Sequence, residues 1–283
     1  MDIWSPRTLA EAMGLLTAGN CKILAGGTDF LVKNPDLVNS NINLVSICDI
    51  KELKDITLGD SFIEMGSALT HSEIMSCPVV LKHAPILAAA SSNVGSVQIR
   101  NKGTLGGNVV TSSPAGDTLT ALYVLNAKLV LASNPRERTI PIGEFISGPG
   151  QNILAKDELV TKIIIEQMQA NEVWVYKKVG LRNALAISVL GAAVRGILQD
   201  GGFSRLQITM GSVAPTIVNL DDLAASLIGR KFTRVSLWEA LKDVEAYINP
   251  ISDVRASMEY RLLTARTVLF ECLCEMLGMQ VQK

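Results

Sequence analysis

Two glycine pairs, each beside a threonine, are the residues of this chain best suited to binding chemistry. In the first, Ile23-Leu24-Ala25-Gly26-Gly27-Thr28-Asp29-Phe30, an apolar strand runs into two glycines and a hydroxyl. Without a Cβ the backbone can approach a ligand closely, and successive amides can converge on phosphate oxygens. A Gly-Gly turn that only joins two elements reads the same way, so this run decides nothing alone. The second run, Thr104-Leu105-Gly106-Gly107-Asn108, follows Val97-Gln98-Ile99-Arg100-Asn101-Lys102-Gly103 and again combines a hydroxyl, paired glycines and a polar amide. Two such runs about 80 residues apart suggest a diphosphate gripped from both sides. Neither has the spacing of a Rossmann fingerprint or a P-loop. Arg100 and Lys102 could neutralise phosphate or be solvated surface charges. A third segment, Ser112-Ser113-Pro114-Ala115-Gly116-Asp117-Thr118, carries a carboxylate that could accept hydrogen bonds from ligand hydroxyls. An Asp between a glycine and an apolar helix is also an N-cap, and local sequence favours that reading.

The elements that must position these runs follow from the hydrophobic periods. Residues 7–18 have helical spacing, with Leu9, Met13 and Leu16 as the buried stripe. Segments 22–25, 43–47 and 62–66 read as strands, and 71–75 and 79–90 as helices, the latter opened by Pro78. A helix over 117–126, a strand over 128–132, a loop at Gly148-Pro149-Gly150 and a strand over 158–166 follow. The strand pattern stops near Gln169-Ala170-Asn171, which is taken as the main boundary. Beyond it, 173–177 reads as a strand, and 186–198 and 203–211 flank Asp200-Gly201-Gly202, a hairpin turn signal. Helices are expected over 220–228, 235–248 and 253–276, the last capped by Ser252 and stopped at Gly278. The fold class is α+β in two domains, 1–170 and 171–283.

Composition narrows the function. With 26 basic and 27 acidic residues the net charge is -1, so no global field draws the chain to nucleic acid or an anionic membrane. Hydrophobic residues make up 48%, enough for two cores. The start, MDIWSPRTLAEAM, lacks the basic and apolar regions of a signal peptide. The most apolar stretch, 184–198, is interrupted by Arg195 and falls short of the roughly 20 residues of a membrane span. Cys21, Cys48, Cys77, Cys272 and Cys274 are scattered and odd in number, as reduced thiols in a cytoplasm would be. Only Cys272 and Cys274 are close, and a lone C-x-C makes a poor metal site. The chain is therefore expected to carry no metal or iron–sulfur cluster of its own.

Together the three segments resemble the FAD-binding fold of the vanillyl-alcohol-oxidase type. More narrowly, they resemble the flavoprotein (medium) subunits of molybdenum hydroxylases such as xanthine dehydrogenases and carbon monoxide dehydrogenases. The run QIRN-KGTLGGN followed by SSPAGDT is the specific match. The run YKKVGLRNALAI at 176–187 resembles the start of the family's carboxy-terminal domain, and ISDVRASMEYR at 251–261 its closing helix, so the resemblance covers nearly the whole chain. It implies a two-subdomain FAD-binding domain (about 1–57 and 58–170), then a smaller α+β domain of a β-sheet packed on helices. It also implies that Ile23, Leu24, Ala25, Gly26, Gly27, Thr28, Asp29 and Phe30 wrap the diphosphate and part of the flavin. Thr104, Leu105, Gly106, Gly107 and Asn108 would supply the second phosphate loop, Asp117 a hydroxyl contact, and Val94, Val160 and Lys177 further FAD contacts. A core valine and a surface lysine are the plain alternatives for Val160 and Lys177. His71 and His83, the only histidines, fall outside these runs, so FAD is expected to be non-covalent and both histidines structural. No cysteine lies between Cys77 and Cys272, so the cluster-bearing insertion of some relatives is absent.

The function implied is electron transfer. FAD would take electrons from [2Fe-2S] clusters of a small partner subunit and pass them to NAD+ or another acceptor, while a large subunit carries molybdopterin. On that reading no side chain here is catalytic, and the organic substrate, a purine such as xanthine or another N-heterocycle, is oxidised on the partner. A self-contained flavin-dependent oxidase or dehydrogenase is the first alternative; it would need acid–base residues that a chain with two histidines scarcely offers. A non-catalytic assembly module with a decayed site is the second, and the intact glycines and Asp117 argue against it.

Overall fold

The computed structural model describes residues 2–182 and 185–279; Asn183 and Ala184, inside the run matched to the start of the carboxy-terminal domain, lie outside the described residues. The chain begins as a small parallel sheet of β1 (Ile3–Trp4), β2 (Cys21–Leu24) and β3 (Asn43–Ser46), with β3 in the middle. Between β1 and β2 runs α1 (Leu9–Ala18), whose N-cap is Thr8; its hydroxyl accepts from the Glu11 amide at 3.2 Å. The face that α1 buries is Ala12 and Leu16, packed with Val45 and Ile47, while Leu9 and Met13 are only partly covered. Beyond β2 the chain turns through residues 25–29 into α2 (Phe30–Lys33).

A second, antiparallel sheet follows, of β4 (Ile56–Leu58), β5 (Phe62–Gly66), β6 (Lys128–Ala132), β7 (Glu137–Pro141) and β8 (Leu159–Glu166), with β8 between β5 and β6. The helices α3 (His71–Ser76), α4 (Pro78–His83), α5 (Pro85–Ser92), α6 (Val97–Arg100), α7 (Leu105–Thr111) and α8 (Asp117–Val124) occupy the long connection from β5 to β6. The single helix expected over 79–90 is two. Pro85 lacks an N–H and disfavours helical backbone in the residue before it, and Ala84 accordingly sits at φ -148° between α4 and α5.

The last sheet is antiparallel in the order β9 (Glu172–Val179), β10 (Leu190–Gln199), β11 (Gly202–Gly211), β12 (Val218–Asn219). Asp200 (φ 52°) and Gly201 (φ 80°) make the tight turn between β10 and β11, with the positive φ at both central residues that a type I′ hairpin needs. One face of this sheet is buried by α9 (Asp221–Leu227), α10 (Arg234–Ala240) and α11 (Met258–Met276). The other face meets the first domain. There Thr209 Oγ1 donates to the Thr120 carbonyl of α8 at 2.7 Å, and a Cβ on Gly211 would lie 2.7 Å from Thr120 Oγ1, so only glycine lets α8 come so near.

Three expected boundaries move. Strand β10 starts at Leu190, not 186, because pairing with β9 begins at Leu190 opposite Val179. The helix expected over 235–248 is α10 followed by a 3-10 turn, Val244–Tyr247. The last helix starts at Met258 with Ser257 as its cap, rather than at 253 after Ser252. Asp253 causes the delay: its carboxylate accepts from the amides of Arg255 and Ala256 at 2.8 and 3.2 Å, a local turn that competes with helix. An ion cluster fastens the two domains. Arg195 of β10, 1% exposed, contacts Glu166 at the end of β8 at 2.5 Å, and Arg205 of β11 reaches Glu172 at 3.2 Å.

Candidate functional site

A cleft of about 960 Å³ runs between the two domains. Its first wall contains Ala25 to Phe30, the Gly103–Asn108 turn without Leu105, residues 113–117, Val94 and Val160. Its second wall contains residues 185–188, Ser212, Ala214, Pro215, Ile251, Asp253, Arg255 and Arg261.

The two glycine runs are one cradle, because they touch. A Cβ on Gly26 would overlap the carbonyl oxygen of Lys102, so the first loop lies directly on the backbone that leads into the second. Gly27 has φ +71°, a conformation glycine adopts without strain. The two loops nevertheless offer different things. In the second, the Leu105 and Gly106 amides donate to the carbonyls of Leu69 and Ser67, both at 2.9 Å, and the Gly107 amide donates to Thr104 Oγ1 at 3.1 Å. In the first, the amides of Gly26, Gly27, Thr28 and Asp29 find no acceptor among the described residues. Four successive N–H groups without a protein acceptor, on residues that line a cleft, are suited to hold an anion. The glycines of the second loop also divide. Gly106 packs on Ser67, whose Cβ would be 2.6 Å from an added Cβ, whereas an added Cβ on Gly107 meets Thr104 Oγ1 at 2.8 Å and then only Ala25 at 3.9 Å.

Polar side chains complete this wall. Thr104 Oγ1 caps α7, which leaves its O–H hydrogen free to donate. Asn108 Oδ1 accepts from Thr118 Oγ1 at 2.6 Å, leaving the Asn108 NH2 as a donor. Asp29 is paired with Lys33 at 2.8 Å and accepts from Thr111 Oγ1 at 3.2 Å. Asp117 is the first residue of α8 and not its cap, which is Gly116. Its buried carboxylate accepts from Lys178 Nζ at 2.6 Å and from the Tyr176 hydroxyl at 3.5 Å. Burial pushes Asp117 up to about 6 even though Lys178 and Tyr176 pull the other way.

Some residues named from the sequence stand elsewhere. Leu24 and Leu105 do not line the cleft, and Leu105 is fully buried in the core. Val160 is both core and lining. Arg100 and Lys102 do not line the cleft; the Arg100 guanidinium folds back onto the carbonyls of Val94 and Gly95 at 3.1 and 3.2 Å. Lys177 points away, pairing with Glu271 at 3.0 Å and Glu275 at 3.5 Å on α11, while its neighbour Lys178 holds Asp117. Successive side chains of a strand face opposite sides, so a shift of one residue exchanges the two. Lys177→Ala is therefore expected to leave ligand binding unchanged and to lower stability by less than about 1 kcal/mol, as read from a denaturant titration.

Sequence reasoning missed four polar groups at the cleft. Ser67 Oγ and His71 Nδ1 on the first wall, and Ser188 Oγ and Arg261 Nε on the second, are buried without a partner. His71, distant from both runs in sequence, has its amide on the Gly103 carbonyl at 3.0 Å. Arg261 donates to the carbonyls of Val189 and Ser212, each at 2.8 Å, and to Asp253 at 2.9 Å. Burial alone would raise Asp253; the Arg255 and Ala256 amides and both arginines bring it down to about 2. The runs 176–187 and 251–261 include residues 185–187, Ile251, Asp253, Arg255 and Arg261 of this wall but not Ser188, Ser212, Ala214 or Pro215, and nothing local in the sequence indicates that they meet.

A glycine cradle with four free amides, leftover donors on both walls and a carboxylate set for hydroxyls suits a dinucleotide with a diphosphate and a polyol. Among the described residues no group of three or more His, Cys, Asp or Glu could hold a metal ion, and no helix is long and apolar enough to cross a membrane.

Known proteins give the same picture. Residues 1–167 match the family described as the FAD binding domain in molybdopterin dehydrogenase, and residues 174–276 match the CO dehydrogenase flavoprotein C-terminal domain. The chain is 31% identical over 271 residues to a putative xanthine dehydrogenase FAD-binding subunit of Escherichia coli (strain K12), covering 95% of this chain and 93% of that one. It is 31% identical over 267 residues to the nicotinate dehydrogenase FAD-subunit of Eubacterium barkeri, covering 92% and 90%. Among solved structures, a chain of carbon monoxide dehydrogenase from Hydrogenophaga pseudoflava superposes with a TM-score of 0.90 at 26% identity, covering 98% of this chain and 97% of that one.

Proposed function

The chain belongs to the family of FAD-binding medium subunits of molybdenum hydroxylases, and on that premise we propose that it binds FAD non-covalently in the interdomain cleft and relays electrons. They arrive from [2Fe-2S] clusters of a small partner subunit, served by a molybdopterin-binding large subunit, and leave to NAD+ or another acceptor. Bound FAD supplies the redox chemistry itself; the protein binds, orients and shields it. The observation that carries this reading is the row of unpartnered amides at Gly26, Gly27, Thr28 and Asp29.

The residues divide the work. The amides of the first loop and the Thr104 hydroxyl take the diphosphate. Asp117 accepts from a hydroxyl of the sugar or ribityl chain, and Lys178 positions Asp117. Val94 and Val160 give apolar contact, and residues 185–188 close the cleft from the far side. The substrate of the whole complex is proposed to be xanthine, another purine or a different N-heterocycle. Two relatives at 31% identity, FAD subunits of a putative xanthine dehydrogenase and of nicotinate dehydrogenase, support that class. Its five free thiols favour a reducing compartment, the cytoplasm.

Purified chain, refolded with excess cofactor and desalted, should retain one FAD per chain with a structured flavin absorption band. A well-folded preparation that stays colourless would remove the proposal. Anaerobic NADH should bleach that band, by reversal of the electron path, and an unchanged spectrum would exclude NAD+ as the acceptor. The loaded chain alone should not oxidise xanthine; turnover would favour a self-contained enzyme.

A further inference from the structure

We propose, on the premise that the cleft holds FAD, that the segment joining β5 to α3 makes a third contact with the cofactor's phosphates, through the Ser67 hydroxyl and the His71 imidazole. Both side chains belong to the lining of the cleft, and both end in a buried polar atom without a partner. Native proteins leave few such atoms, so two on one short segment need an occupant.

Their surroundings say which part of the ligand they meet. The Ser67 carbonyl accepts the Gly106 amide at 2.9 Å, and the His71 amide donates to the Gly103 carbonyl at 3.0 Å, so the segment is stitched to the second glycine loop. His71 Cδ2 and Thr28 Oγ1 converge on the same side of Gly103, at 3.3 and 3.2 Å from where its Cβ would stand. His71 therefore sits where the two loops join, on the same side as the Thr28 hydroxyl of the first. The backbone is held firm there. Thr70 caps α3, its hydroxyl accepting from the Glu73 amide at 3.2 Å, and Glu73 returns a contact to the Thr70 amide at 2.7 Å.

The chemistry matches an anion. Burial, and secondarily the Arg100 charge, lowers His71 to about 4, so at neutral pH the imidazole is uncharged and carries one N–H. With the Ser67 hydroxyl it offers two neutral donors to phosphate oxygens. Arg100 is occupied by the carbonyls of Val94 and Gly95 and does not line the cleft.

The chain has two histidines, so 15N-histidine NMR reads each one separately, with His71→Gln giving the assignment. FAD, and ADP as a bare diphosphate probe, should shift the His71 ring signals and leave those of His83 in place. Riboflavin, which has no phosphate, should leave both unmoved. Ser67→Ala and His71→Leu should each speed FAD dissociation about tenfold, without lowering the melting temperature of the apo chain, since each deletes a buried polar atom that has no partner. A merely structural role would instead destabilise the apo chain. His71→Gln, which keeps a donor, should retain FAD close to wild type. Stoichiometric FAD with unmoved His71 signals, or unchanged dissociation in both Ser67→Ala and His71→Leu, would overturn the proposal while leaving the FAD reading intact. A chain that takes up no FAD at all would overturn that reading first.

Discussion

Gly107→Leu should fold with the far-ultraviolet circular dichroism of the wild type and yet leave purification colourless. The new side chain has one close protein neighbour, Thr104 Oγ1 at 2.8 Å from the Cβ position, and beyond it faces the cleft. Disturbing that N-cap costs about 1 kcal/mol. Replacing a glycine inside α7 by leucine returns about the same. Fold stability is thus nearly unchanged, while a four-carbon side chain stands in the proposed phosphate path. The affinity for FAD should fall at least about a hundredfold, equivalent to about 3 kcal/mol, as measured by equilibrium titration. Gly106→Ala is the control. Its Cβ would press on Ser67 at 2.6 Å, in contact with both side chain and backbone, and overpacking of that kind costs about 3 kcal/mol of stability. If Gly107→Leu still carries stoichiometric flavin, the second loop is not where the diphosphate lies.

Lys178→Met, beside the cleft, should destabilise the apo chain strongly. Lys178 and Asp117 are each about nine-tenths buried and 2.6 Å apart. Removing one partner leaves an unpaired buried charge, which costs about 3–5 kcal/mol. The cost depends on pH with a definite sign. Asp117 in the folded chain is raised from 3.8 to about 6, so the folded state binds its proton more tightly than the unfolded state does. Its contribution to stability is full below the unfolded value and is lost as pH rises through the folded one. For apo wild type that window runs from about 4 to about 6. In Lys178→Met the folded value climbs higher still, so the loss continues toward alkaline pH and is deepest there. Melting curves of the two proteins at matched pH should diverge as pH rises. His71, lowered to about 4, contributes a slope of the opposite sign in the same window, so Asp117→Asn should leave stability rising with pH between about 4 and 6. Curves that stay parallel from pH 5 to 8 would dissolve the pairing. FAD binding should have the opposite trend, weakening as pH falls through about 6, because protonated Asp117 is a poorer acceptor for the cofactor's hydroxyls.

The sequence carried the cradle because glycine pairs mark places where backbone must come close. It did not say which of those glycines answer to a ligand and which to the protein. Gly26 and Gly107 look alike in the sequence, yet Gly26 is required by the Lys102 carbonyl and Gly107 leaves room for something else. Lys177 and Lys178 differ by one position in a strand, and only the pairing of β9 decides which faces Asp117. The second wall was legible as a family resemblance and illegible as a site. Arg261 and Ser188 line the same cleft as the first loop only through the packing of α11 on the turn before β10, where Arg261 donates to the Val189 carbonyl. Ser67 and His71 lacked any motif at all, and their leftover polar atoms become visible only once every neighbour's hydrogen bonds have been counted.

The two walls of the cleft also stand far apart in the order of synthesis. The amide-bearing loop after β2 emerges long before its facing wall, which includes Arg261 on α11. A nascent chain still threaded through the ribosome therefore presents half a slot, however well its first domain has folded. On the proposed reading, loading with FAD waits until α11 has emerged, and a truncation that removes α11 is expected to forfeit the cofactor although every glycine of the cradle is intact.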